Sequence, residues 1–164
     1  MIPPRQFHTH VIAPVLRAMA ETDLRFDSLA ARRLLLGTAV EESRLAAIAQ
    51  YGSGPALSFF QIEPVTHADI RRWAHERGLD SVLDEFVAEW TSSEGQLASN
   101  AAYACAVARI IYFRIPEPLP AAGDLPGLGR YWKQYYNTRL GKGSAVKWER
   151  TYRRYCMEAI PDGE

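Results

Sequence analysis

Long apolar runs are missing from this 164-residue chain: no stretch approaches the roughly 20 apolar residues that a membrane-spanning helix requires. Net charge is missing too. Nineteen basic residues meet nineteen acidic ones, which argues against duplex nucleic acid or an anionic membrane as a partner, since both demand a concentrated positive surface. Cysteine is scarce: Cys105 and Cys156 are the only two, and neither has the CxxC neighbour used by zinc and redox sites. The sequence neither demands nor forbids a bridge between them. Cys105 lies in the apolar run from Ala101 to Tyr112 and reads as a small buried hydrophobe. The four histidines, His8, His10, His67 and His75, have no HExxH pattern and no nearby cysteine, so neither a metal nor a cofactor is expected. Repeats are absent. The first ten residues show no basic head leading into an apolar segment, so no secretory leader is expected.

What is present is the composition of a globular protein, 48% hydrophobic and 23% charged, in a chain long enough to bury a core as one domain over residues 1–164. The pattern predicts a mostly α fold. A first helix is expected from about Gln6 to Glu21, kinked or starting late because Pro14 falls inside it. Asp27 or Ser28 caps a second, central helix running to about Ala49. From Tyr51 to Pro64 the turn formers Gly52, Ser53, Gly54 and Pro55 precede a short, partly alternating run, which reads as an irregular segment or a small β-hairpin. Helices are then expected from Thr66 to about Arg77, Asp80 to Thr91, and Glu94 to Arg114. Four prolines (Pro116, Pro118, Pro120 and Pro126) make 115–128 a loop. Aromatic-rich helices over 128–136 and 145–159 close the chain. Their rings read mainly as core, with one or two lining a cleft. The basic cluster Arg139, Lys142, Lys147, Arg150, Arg153 and Arg154 reads as a solvated helix face.

The informative stretch is Glu41-Glu42-Ser43-Arg44-Leu45, followed by Gly54-Pro55-Ala56-Leu57-Ser58-Phe59-Phe60-Gln61-Ile62-Glu63-Pro64 and Thr66. It sets a carboxylate late in an apolar helix, beside a turned segment able to form the other wall of a cleft. Burial disfavours the anion and lifts a glutamate from about 4.3 towards 6 or higher. A carboxyl still protonated near neutral pH is what a glycosidic oxygen needs in order to leave. Periodicity does not choose between the two glutamates: Glu41 shares a face with Leu34, Thr38, Leu45 and Ile48, and Glu42 with Leu35, Ala39 and Ala46.

Glu42-Ser43, then Ser58-Phe59-Phe60-Gln61 with the Gln nineteen residues after the Glu, then Pro64 and Thr66, resembles the soluble lytic transglycosylase family. Asn100-Ala101-Ala102-Tyr103 and Tyr136-Asn137 resemble that family's later landmarks, in the same order. The run Trp132-Lys133-Gln134-Tyr135-Tyr136-Asn137-Thr138 is most similar to phage-borne members. The resemblance implies a lysozyme-like fold and cleavage of peptidoglycan glycan strands. It selects Glu42 as the acid, with Glu41 an exposed companion. Glu42 would protonate the oxygen between N-acetylmuramic acid and N-acetylglucosamine, then accept the proton of the muramyl 6-hydroxyl, leaving an anhydro sugar. Gln61 and the backbone around Ser58 would hold the saccharide; Tyr136 and Asn137 would position the acid or the acetamido group. It also implies a setting in a virion, or in a bacterial cytoplasm before assembly, with action in the host periplasm and other virion proteins as partners.

Two positions depart from the family pattern. Ser58 stands where the family has Gly, a residue that tolerates positive φ and close approach of a sugar. Glu63 stands where Met is common. In an extended segment Gln61 and Glu63 point the same way, so Glu63 either faces the cleft, where a second carboxylate favours a lysozyme-type hydrolase, or pairs with an arginine at the surface. Loss of the Gly also leaves open a non-catalytic structural or adaptor protein of a phage particle.

Overall fold

The computed structural model describes residues 1–137, 141 and 143–161. Arg139 and Lys142 of the basic cluster lie outside them. The described chain is mostly α, with no strand among the described residues. No helix among them is long and apolar enough to cross a membrane.

The chain opens with α1 (Pro4–Phe7), a π turn (His8–Ile12) and α2 (Ala13–Ala20) in succession. Pro14 has no N–H to give the preceding turn, and its ring would press on a carbonyl four residues back. The helix answers by widening instead of breaking: the Ala13 N–H reaches back to the His8 carbonyl, a five-residue step. Asp23 caps a short 3₁₀ turn (Leu24–Phe26). Helix α3 (Leu29–Ser43) starts at Ser28, whose hydroxyl accepts the Ala31 N–H at 3.1 Å. Asp27, the other capping candidate, instead grips Arg32 with both carboxylate oxygens, at 2.8 and 2.7 Å.

Helix α3 stops at Ser43, six residues short of the sequence expectation, because Arg44 and Leu45 both turn left-handed (φ 55° and 49°). The segment that follows is irregular. Leu57 makes isolated antiparallel bridges to both Ala49 and Ile62, without extended strands. Helix α4 (Pro64–His75) begins at a proline in its first turn, ahead of Thr66. Helix α5 is short (Asp80–Asp84). The expected Glu94–Arg114 helix is two: α6 (Ser93–Ser99) and α7 (Ala101–Phe113), broken at Asn100 (φ −123°, ψ 94°). Asn100 caps α7 by accepting the Tyr103 N–H at 3.1 Å, and its amide donates to the Phe86 carbonyl at 2.7 Å. This landmark of the resemblance therefore joins two helices and stays out of the site.

Helix α8 (Leu125–Trp132) begins inside the proline-rich stretch, with Pro126 in its first turn, and passes into a π turn (Lys133–Asn137). Helix α9 (Ala145–Tyr155) packs across α3 and α8. Trp148, fully buried, stacks on Tyr152 with ring centroids 5.4 Å apart and packs against Gly37 of α3. One hydrophobic cluster joins these helices, with α7 the most uniformly buried element. Cys105 and Cys156 are both free and buried, and burial pushes both thiols up, leaving them inert.

Candidate functional site

The end of α3 sets the position of Glu42. The Ser43 hydroxyl donates to the Ala39 carbonyl at 3.0 Å and accepts the Leu45 N–H at 3.1 Å, closing the last turn while the backbone reverses. The serine of the Glu-Ser pair is thus a helix terminator. Glu42, one residue earlier, is held in the final turn, where the helix dipole presents its negative end and disfavours a carboxylate. From α8, the fully buried Trp132 donates its indole N–H to Glu42 Oε1 at 3.1 Å. Burial pushes the Glu42 carboxyl up to about 7; the Trp132 hydrogen bond and the Lys147 charge pull it down, and the charge of Glu41 adds to the rise. The proton is thus held to far higher pH than on an ordinary glutamate.

Glu41 is not the exposed companion that the sequence implied. It is 8% exposed, accepts from the Thr151 hydroxyl at 2.7 Å, and pairs with Lys147 Nζ at 2.6 Å. Two adjacent carboxylates therefore have separate fates: Glu41 turns inward and is neutralised by α9, while Glu42 faces the cleft. The signal for this lay more than a hundred residues away, at Lys147 and Thr151, beyond the reach of local periodicity.

The facing wall is a four-residue turn between the bridged residues Leu57 and Ile62. Ser58 (φ 70°) and Gln61 (φ 50°) are both left-handed. A serine in that region costs about 1 kcal/mol relative to glycine. Its buried hydroxyl offsets part of this by accepting the Phe60 N–H at 3.1 Å. Ser58 thus lies beneath the turn and shapes it from inside. The Gln61 amide donates to the Ser58 carbonyl at 2.8 Å, so its nitrogen holds the turn. Tyr136 donates its hydroxyl to the Phe60 carbonyl at 2.7 Å and stacks on Tyr112, which in turn shares a 2.7 Å hydrogen bond with Thr38. A chain of contacts thus runs from α3 through α7 to the turn and fixes the two walls relative to each other. Burial holds both tyrosine hydroxyls well above their usual range, as neutral donors.

Glu42, Gln61, Glu63, Tyr136 and Asn137 line one cleft of about 520 Å³. The structure brings together every residue expected at the site except Ser58. Glu63 faces this cleft although Gln61 is turned, not extended. Asn137 is oriented by Lys133, which donates to its Oδ1 at 2.8 Å. Gln50 and Tyr51 also line the cleft, Tyr51 with 82% of its surface open, and neither was singled out from sequence. A second depression of about 350 Å³ shares Gln61, Glu63, Tyr136 and Asn137 and extends the groove towards Arg114. Among the described residues no group of three or more His, Cys, Asp or Glu is placed to hold a metal ion.

Trp132 is the partner that sequence reasoning missed, having been grouped with the core aromatics. Its hydrogen bond favours the charged form of Glu42, so Trp132→Phe is expected to raise the Glu42 titration midpoint. Carbon-13 NMR of the Glu42 carboxyl reads this directly; an unchanged midpoint would show that the indole does not set the acid.

Comparison with family models, curated proteins and solved structures finds no match.

Proposed function

We propose that this chain cleaves the glycan strands of peptidoglycan as a lytic transglycosylase, with Glu42 as its acid and base. The observation that carries the reading is the helix-end carboxyl of Glu42, raised to about 7 by burial and facing an open groove lined by amide and aromatic side chains. Glycan strands are long, neutral at the ring and rich in hydroxyl and acetamido groups. Gln61, Asn137 and exposed Tyr51 match those groups, the first two by hydrogen bonds and the third by covering a sugar face.

The protonated Glu42 gives its proton to the bridging oxygen, and the sugar bond breaks with development of oxocarbenium character. Glu42 is then a carboxylate in an apolar setting, a strong base, and removes the proton of the muramyl 6-hydroxyl as that oxygen closes on the anomeric carbon. The carboxyl ends as it began, protonated. A midpoint near 7 suits both halves of this cycle. Tyr136 contributes by holding the Ser58–Gln61 turn against the groove. The sequence pattern of residues 132–138 supports a phage-borne setting, in which the protein opens the wall locally.

Glu63 favours one second reading. A further carboxylate on the same cleft can hold water or stabilise the cation, which would make the enzyme a hydrolase of lysozyme type. Product chemistry separates the two. Anhydro-muropeptides released from purified peptidoglycan and identified by mass spectrometry are expected of the transglycosylase. Reducing-end products would transfer the role of second carboxylate to Glu63. Intact peptidoglycan, where a known muramidase degrades it, would refute both.

A further inference from the structure

On the far side of the Glu41-Glu42 pair, where α9 crosses the end of α3, lies a separate concavity of about 180 Å³. It is lined by Arg44, Lys147, Arg150, Thr151, Arg154 and Tyr155. We propose that this concavity is a binding site for one phosphate group, built by Arg44, Arg150 and Arg154 around Tyr155.

The first ground is missing countercharge in a protein whose formal charges balance. Arg153, on the same helix, pairs with Glu149 at 2.8 Å, and Arg32, Arg71 and Arg114 each meet an aspartate within 2.8 Å. Arg44, Arg150 and Arg154 have no carboxylate partner among the described residues. The one acid beside them, Glu41, is buried and taken by Lys147. The second ground is that like charges are held together. The guanidinium carbons of Arg44 and Arg154 lie 5.4 and 5.2 Å from the centre of the same Tyr155 ring. Arg44 is also fixed by a hydrogen bond to the Thr151 hydroxyl at 3.3 Å. Both cations pack against the one Tyr155 ring at the edge of the same concavity, and neither can move away without losing that contact.

A cluster of like charges without a carboxylate partner suits an anion, and its chemistry narrows which one. Guanidinium forks match oxyanions through paired N–H donors. A carboxylate offers two oxygens, enough for one or two forks. Three guanidinia lining one concavity, with the Lys147 ammonium already engaged by Glu41, call for the three or more acceptor oxygens of a tetrahedral phosphate. The volume admits one such group with a short substituent and has no room for a duplex, in keeping with the zero net charge of the chain. Whether the phosphate is a free monoester or one link of a phosphodiester polymer, the recognising chemistry is the same.

Calorimetric titration of the intact protein with inorganic phosphate, at ionic strength held constant with chloride, is the test. One saturable site is expected, and the doubly substituted Arg150→Gln/Arg154→Gln protein should bind at least tenfold more weakly. Both side chains are exposed on α9, so the variant should retain the wild-type melting temperature. Glycerol phosphate and bis(glycerol) phosphate then distinguish the sources: tighter binding of the first indicates a free monoester, and of the second a polymer. Phosphate heats no greater than those of matched chloride, or equal binding by the double variant, would overturn the proposal. The outcome is independent of peptidoglycan cleavage, because neither arginine touches the Glu42 cleft.

Discussion

Replacing Glu42 with Gln should make the protein more stable at pH 8 and leave its stability unchanged at pH 4. Burial raises the folded-state Glu42 carboxyl to about 7 from the ordinary value of 4.5 that it regains on unfolding. Between those two values the folded protein keeps a proton that the unfolded chain has released. Stability therefore falls as pH rises through that window, and above it the charged side chain costs about 3 kcal/mol. Gln is neutral at every pH, has nearly the same shape, and keeps an oxygen to accept the Trp132 indole hydrogen bond. All other ionisable groups are common to both proteins, so the difference isolates this one carboxyl. For a chain of this size the difference at pH 8 amounts to a rise of roughly 6–10 °C in melting temperature. Parallel thermal scans from pH 4 to 8 measure it. A difference that does not grow with pH would show that Glu42 is an ordinary solvated carboxylate, unsuited to act as the acid.

The second large effect belongs to packing. Gly37→Ala should destabilise the fold by about 2–3 kcal/mol. At most helix positions this change is favourable by up to about 1 kcal/mol. Here an added Cβ would meet the Trp148 ring at 2.1 Å, with two further ring atoms inside 3 Å. Trp148 is fully buried and stacked on Tyr152, so it has nowhere to go. Accommodation requires α9 to lift from α3, which also draws Lys147 and Thr151 away from Glu41. Urea denaturation reads the loss; a stabilised Gly37→Ala protein would mean that the two helices do not meet at this glycine.

How far the sequence anticipated the molecule depended on the range of the interaction. Helix starts governed by a neighbouring side chain were legible: Ser28 caps α3 as its position suggested. Endings were harder. Ala46 and Ile48 continue the apolar pattern of α3, and nothing local announces that Arg44 and Leu45 turn left-handed, since neither is Gly or Asn. The expected helix over 94–114 concealed its break because Asn100 serves as a cap, a role that a continuous alanine-rich pattern hides. Pro14 was rightly marked as a disturbance, but a π turn absorbs it.

For the site, the resemblance named Glu42, Gln61, Tyr136 and Asn137, which the fold gathers into one cleft, but not the contacts that hold them there. Tyr136 acts on the Phe60 carbonyl and Ser58 on the turn backbone, roles set by contacts 76 and 2 positions away along the chain. The division of labour between Glu41 and Glu42 was beyond any local pattern, because α9 and α8 decide it.

The claim that Glu42 carries peptidoglycan cleavage is tested most directly by digesting purified peptidoglycan at pH 6 with the wild type and with Glu42→Gln, side by side, and quantifying released muropeptides by mass spectrometry. Anhydro-muropeptides are expected from the wild type and at least about 100-fold less from the variant, the scale expected for loss of a general acid. Equal release by the two proteins, or none by either, would contradict it.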